Sequence, residues 1–137
     1  MPRTPHPATS RAAGLAALLG VAGTLHLVTP RPFEHLIPHR LGRPRPWVLG
    51  SGAAELACAA ALAYPATRRA GGWASAALLV AVFPGNVTMA VRAQRARDGA
   101  RGSARRHWSR HPAVAWGRLP LQVPLVLWAV RVAREAR

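Results

Sequence analysis

The sequence predicts an all-α protein of the membrane: an antiparallel four-helix transmembrane bundle with a short interfacial or re-entrant segment between helices 1 and 2. Three observations carry this. Half of the 137 residues are hydrophobic, and they gather into segments at about 12–29, 47–64, 73–91 and 114–132. Each segment spans about 27 to 29 Å as a helix, matching a hydrocarbon core of about 30 Å. Trp47, Trp73 and Trp116 stand at the starts of three segments and Tyr64 at the end of one, as in an interfacial aromatic belt.

In the first segment the N-terminal "MPRTPHPATSR" leads into an apolar run that resembles a signal peptide, but "LHLVTPRP" offers no small-x-small cleavage site; a retained first span is expected. The second segment, with "GSGAAELACAAALA", has only Ser51 and Glu55 as strongly polar positions. No polar stripe of period 3.6 accompanies them, which excludes an ordinary soluble amphipathic helix. Its glycines and alanines, with Gly14, Gly20 and Gly23 of the first segment, let backbones approach where no hydrophobic force acts between helices. The third segment contains "FPGNVTM". Proline removes a backbone donor and crowds the preceding turn, and glycine weakens the helix further, so a break is expected here. Irregular backbone at membrane depth is tolerated only where protein or a cavity covers it. In the fourth segment Pro120 and Pro124 predict kinks.

The connections are unequal. In 30–46, "RPFEHLIPHRLGRPRP", Pro32 suits a helix start and Phe33, Leu36, Ile37 and Leu41 recur at helical spacing. A short amphipathic or re-entrant piece is expected there. Residues 92–113 read as a solvated basic loop in reach of anionic head groups. The net charge of +15 arises from arginine alone, since the chain has no lysine. Alanine-rich, arginine-only wording accompanies GC-rich coding, so basicity is not read as a nucleic-acid partner; the expected surroundings are membrane lipids. Seven arginines flank the termini and the Pro65 turn, against eleven in the two long connections. The positive-inside rule then puts 30–46 and 92–113 in the cytoplasm of a multi-pass cell-membrane protein.

Cys58 is the only cysteine, which excludes an internal disulfide, a CxxC pair and a cysteine zinc cluster within one chain. His35 and His39, and His107 and His111, are each four apart, a spacing able to grip a metal on one helix face. Pro38 interrupts the first pair and Arg40, Arg105, Arg106 and Arg110 repel a cation, so no metal is expected. Phosphate loop, nucleophile elbow and haem-attachment sequence are absent from the sequence.

The polar residues inside the spans are the candidate site. Glu55 falls near the middle of the second span, where a carboxylate is costly unless paired, protonated or beside water. His26, Asn86 and Arg118 share a layer about 6 to 8 Å from the midplane by the helical rise, and Gln122 lies near the depth of Glu55. The four helices would thus line one polar pocket, with Arg118 paired to Glu55. His26, Glu55, Asn86, Arg118 and Gln122 are the expected ligand-binding residues, and Glu55 and His26 the candidates for moving a proton.

These residues also carry a resemblance. "GTLHLVTPRPFEHLIPHRLGRP", "SGAAELACAAALAYPATRRAGG", "FPGNVTMAV" and "RLPLQVPLVLWA" together resemble the DoxX-like group of small four-helix integral membrane proteins, over about Gly20 to Ala129. The resemblance implies the same fold and places the family's polar signature on His26, Glu55, Asn86, Arg118 and Gln122. It also implies a redox-linked setting, since relatives include a subunit of a thiosulfate:quinone oxidoreductase, members tied to oxidative-stress complexes and receptor-assembly factors. A single cysteine removes any intrinsic thiol relay from that setting.

Three functions are therefore expected to compete. The first is an accessory or oxidoreductase-associated subunit whose pocket takes a quinone- or lipid-like molecule, with a membrane or peripheral redox protein as partner. The second is an assembly or chaperone-like protein holding another membrane protein, or a second copy of itself, on its small-residue faces. The third is an enzyme acting on a lipid through Glu55 and His26.

Overall fold

The computed structural model of the chain describes residues 7–34, 37, 41–98 and 112–136. Among them there is no strand. Five helices follow one another: α1 (Pro7–Val28), α2 (Arg31–Glu34), α3 (Pro44–Ala63), α4 (Arg68–Asp98) and α5 (Pro112–Glu135), with a 3₁₀ turn at Pro65–Thr67 between α3 and α4.

Local chemistry explains the boundaries. Gly42 has a φ of 77°, a left-handed conformation open to glycine, and turns the chain into α3. Arg43 is extended, and prolines occupy the first turn of α3, where a missing N–H costs nothing. At the other end Tyr64 is extended, with φ −88° and ψ 121°, as the residue before Pro65 must be. The carbonyls left open by the end of α3 are taken up at once. Thr67 Oγ1 donates to Ala61 O at 2.9 Å and Arg68 Nε donates to Leu62 O at 3.1 Å. A guanidinium there also meets the negative end of the helix dipole.

The long helices overrun the apolar segments at six of their eight ends, α1 and α3 stopping one residue short at their C-terminal ends. α1 begins at Pro7 where the span was expected from about 12, and α4 covers Arg68–Asp98 where 73–91 was expected. Alanine and arginine are both good helix formers, so hydrophobicity marks where a helix is greasy and not where it stops. Two corrections follow. Arg92 and Arg95, expected in a loop, lie on the last turns of α4. Likewise α4 runs through Pro84 without interruption, while α5 remains helical through Pro120 and Pro124, as a kinked helix also does. One proline removes one ladder bond, and flanking turns in a packed helix hold the geometry. In the first connection a four-residue helix, α2, stands where an interfacial piece was expected.

α1 packs mainly on α3 and α4 mainly on α5; α3 and α4 join these two pairs, and α1 touches α5 more lightly. The apolar core lies toward the Pro65 turn. Leu15, Leu62 and Val132 are fully buried there, with Ala12, Leu19, Cys58, Ala76 and Ala129 around them. Close approach makes this possible: a Cβ on Gly71 would meet the Ala61 backbone at 2.8 Å, and one on Gly72 the Ala133 backbone at 2.7 Å. At the same end Arg11 on α1 forms an ion pair with Glu135 on α5. Trp128 Nε1 adds a hydrogen bond to Arg11 O at 3.1 Å.

Three helical stretches, Thr9–Val28, Pro44–Ala63 and Pro65–Arg95, are long and apolar enough to cross a membrane. Only 22% to 28% of the residues in their most apolar windows are buried inside the protein. Leu18, Val21, Leu25, Val80, Val123 and Leu127 instead face outward. So much exposed aliphatic surface is unlike that of a monomer in water and suits an acyl-chain environment.

Candidate polar site within the helices

The first half of the site is built by two glycines. A Cβ on Gly23 would lie 2.7 Å from Gly52 O, and a Cβ on Gly52 would lie 2.8 Å from His26 Cβ. No side chain fits between α1 and α3 at this point. The His26 and Glu55 side chains meet across this same contact, where a Cβ on Gly23 would also lie 3.1 Å from Glu55 Cβ. His26 Nδ1 lies 2.8 Å from Glu55 Oε2. Glu55 is buried, and the His26 side chain is 18% exposed. Above it, α2 lays Phe33 edge-on to the imidazole, with ring centroids 4.1 Å apart at 67°.

The second half joins α4 to α5 with neutral groups. Asn86 Nδ2 donates to Gln122 Oε1 at 3.1 Å, and Gln122 Nε2 donates to Leu79 O. Leu79 lies one residue before Val80, whose carbonyl loses its usual donor at Pro84. The buried Gln122 amide thus ties α5 to the turn that the proline weakens. Thr88 Oγ1 supports the same region by donating to Pro84 O at 2.9 Å.

Four of the five expected residues, His26, Glu55, Asn86 and Gln122, are therefore hydrogen-bonded as two separate pairs. No hydrogen bond among the described residues joins one pair to the other. Arg118 does not pair with Glu55, contrary to expectation. It is half-buried, and among the described residues it makes no ion pair. The reason is geometric: α3 packs on α1 and α4, so the carboxylate meets the imidazole of the neighbouring helix. A groove of about 280 Å³ opens on the α4–α5 side, lined by Val80, Phe83, Gln122, Val123, Val126 and Leu127. It is apolar apart from Gln122.

Two features of the site went unnoticed in the sequence. In the sequence Phe33 reads as part of an amphipathic piece, whereas in the fold it lies against His26. The seam was readable in the spacing, since Gly23 stands three residues before His26 and Gly52 three before Glu55. No group of three or more potential metal ligands occurs among the described residues. His35, His39, His107 and His111, with the rest of 99–111 of the basic connection, lie outside them.

No curated protein and no solved structure matches the chain. A family model described as a domain of unknown function, DUF8561, matches residues 15–133, from the core of α1 to the last turn of α5. The match takes in both polar pairs and the glycine seam between α1 and α3, and the chain belongs to that family.

Proposed function

We propose that the chain is a DoxX-like integral membrane protein in which α1, α3, α4 and α5 cross the bilayer as an antiparallel four-helix bundle. In this reading it is an accessory, redox-linked subunit that holds a quinone- or lipid-like molecule against the polar residues of its spans. The observation that carries the reading is the His26–Glu55 pair at 2.8 Å. Ionisable groups inside membrane helices are costly, and those that persist mark ligand sites or proton paths. Phe33 supplies a flat apolar wall beside the imidazole. Asn86, Gln122 and Arg118 add hydrogen-bonding capacity on the other helix pair, and the apolar groove beside Gln122 suits a hydrocarbon tail. The connection 30–46 and the basic segment after α4 face the cytoplasm in this arrangement.

A photoreactive benzoquinone tests it. In nanodiscs the purified protein is expected to become labelled on peptides of α1, α2 and α3, and excess unlabelled quinone should suppress the label. Uniform, unsaturable labelling of all outward faces would overturn the reading.

One observation favours a second reading, in which the protein holds a partner membrane protein. Gly50, Ala53, Ala57 and Ala60 form an exposed stripe of small residues along the outer face of α3, suited to close contact with another helix. Cysteines placed at Ala53 and Ala57 should crosslink to a defined partner in native membranes, and a chain that stays solitary there would remove this alternative.

A further inference from the structure

Resting on the reading above that the chain lies in a bilayer and takes a lipid-like molecule, we infer that the α4–α5 side holds one anionic phospholipid, its phosphate on Arg118 and one acyl chain in the groove between the two helices.

The argument begins with charge. A guanidinium is a cation with five N–H donors in a fixed fork and no acceptor. Arg118 is half-buried on the second turn of α5, yet neither an ion-pair nor a hydrogen-bond partner meets it among the described residues. Glu55 is taken by His26, and Glu135 by Arg11 at the far end of α5. No buried side-chain nitrogen among the described residues lacks a partner, so the nitrogens of Arg118 open to the outside. An anion can reach them.

The groove supplies the second half. It measures about 280 Å³, and its lining is aliphatic and aromatic apart from Gln122. Both ends of that amide already have partners, Leu79 O and Asn86. The space therefore suits hydrocarbon. Arg118, Gln122 and Val126 follow one another at intervals of four along one face of α5, and the last two line the groove. The cation thus stands one turn beyond the groove's end, in line with it.

Length and charge then select the occupant. Leu127, at the other end of the lining, is nine residues past Arg118, about 14 Å at 1.5 Å per residue and close to half of a hydrocarbon core of about 30 Å. A phosphate on Arg118 leaves its chain the depth of one leaflet to run. A soluble anion would leave the groove empty, and an uncharged lipid would leave the cation unanswered. The planar fork of arginine matches two oxygens of a phosphate. Ala90 and Ala93 of α4 pack beside Leu119 of α5, so Arg95, exposed on the last turns of α4, adds positive charge at the same end. That field favours a headgroup of net negative charge.

Phospholipids with a photoreactive group at the end of one acyl chain test this on the full chain in phosphatidylcholine nanodiscs. A phosphatidylglycerol probe should label α4 and α5 peptides saturably, with about tenfold preference over the phosphatidylcholine probe, the effect of one charge-assisted hydrogen bond. Arg118→Gln breaks no contact found among the described residues, so it should unfold at the wild-type midpoint while losing the preference. Val123→Trp fills the groove and leaves the cation in place; it should lose the label. Equal affinity for the two probes, or a preference that survives Arg118→Gln, would overturn the headgroup assignment and leave a lipid site standing. Suppression of the label by inorganic phosphate would assign the cation to a soluble anion and overturn the lipid source. Saturable benzoquinone labelling of α1 to α3, with no phospholipid label on α4 and α5, would overturn this site alone. Absence of saturable labelling by every probe would sink the ligand-site reading, and this inference with it.

Discussion

The two helix pairs solve one packing problem in different ways. At the α1–α3 seam the backbones touch through Gly23 and Gly52, and the polar link across that same contact is ionisable, His26 to Glu55. At the α4–α5 seam the close backbone contact, Gly72 against Ala133, lies near the Pro65 turn, well away from the polar link. That link, Asn86 to Gln122 to the Leu79 carbonyl, consists of amides that cannot change charge. The difference separates two roles for polar groups in lipid. Amides joined to each other and to a proline-weakened turn hold helices together. The imidazole–carboxylate pair leaves one ring nitrogen without a hydrogen-bond partner among the described residues.

The sharpest way to break the comparison is steric. Gly52→Val should cost about 3 kcal/mol of stability, at the upper end for overpacking a tight contact, because the new Cβ would lie 2.8 Å from His26 Cβ with further methyls to place. Reversible unfolding in mixed micelles would measure it, and an unchanged midpoint would show that the seam is not tight. Glu55→Ala should cost less, about 2 kcal/mol, since it strands a partly buried imidazole of 18% exposure that can regain a water. Asn86→Ala removes one interhelical amide bond of 3.1 Å and should cost about 0.6 kcal/mol, the average for such bonds in membrane bundles. If Asn86→Ala proved as damaging as Glu55→Ala, the contrast between the pairs would fail. Arg11→Ala breaks the Arg11–Glu135 pair, whose side chains are 49% and 35% exposed; solvent screening limits the loss to a few tenths of a kcal/mol. At the opposite sign, Gly50→Ala meets nothing within 4 Å and should be neutral or stabilising by up to about 1 kcal/mol through helix propensity alone.

Much of this architecture was legible before any coordinates. Apolar run length announced α1, α3 and α4 as helices long enough to span, and the depth of each polar residue along its run picked out His26, Glu55, Asn86 and Gln122. Depth is a one-dimensional quantity, however, and partnership is not. Arg118 and Glu55 suit each other chemically and lie at compatible heights, yet they sit on helices that are not principal neighbours. The break expected at Pro84 failed for a related reason: propensity describes an isolated helix, while α4 is held on one side by Gln122 from α5 and on the other by the ordinary ladder.

By itself the sequence determined the elements, their greasy lengths and the inventory of polar groups that had to be satisfied within them, because hydrophobic length and the cost of burying charge are properties of a segment and its solvent. Only the tertiary structure decided which polar group answers which. Two glycines let α1 and α3 touch, their contact set the rotation of both helices, and that rotation turned His26 toward Glu55 and left Nε2 open beneath Phe33. Rotation about a helix axis depends on the shapes of two surfaces at once, and no single segment contains that information.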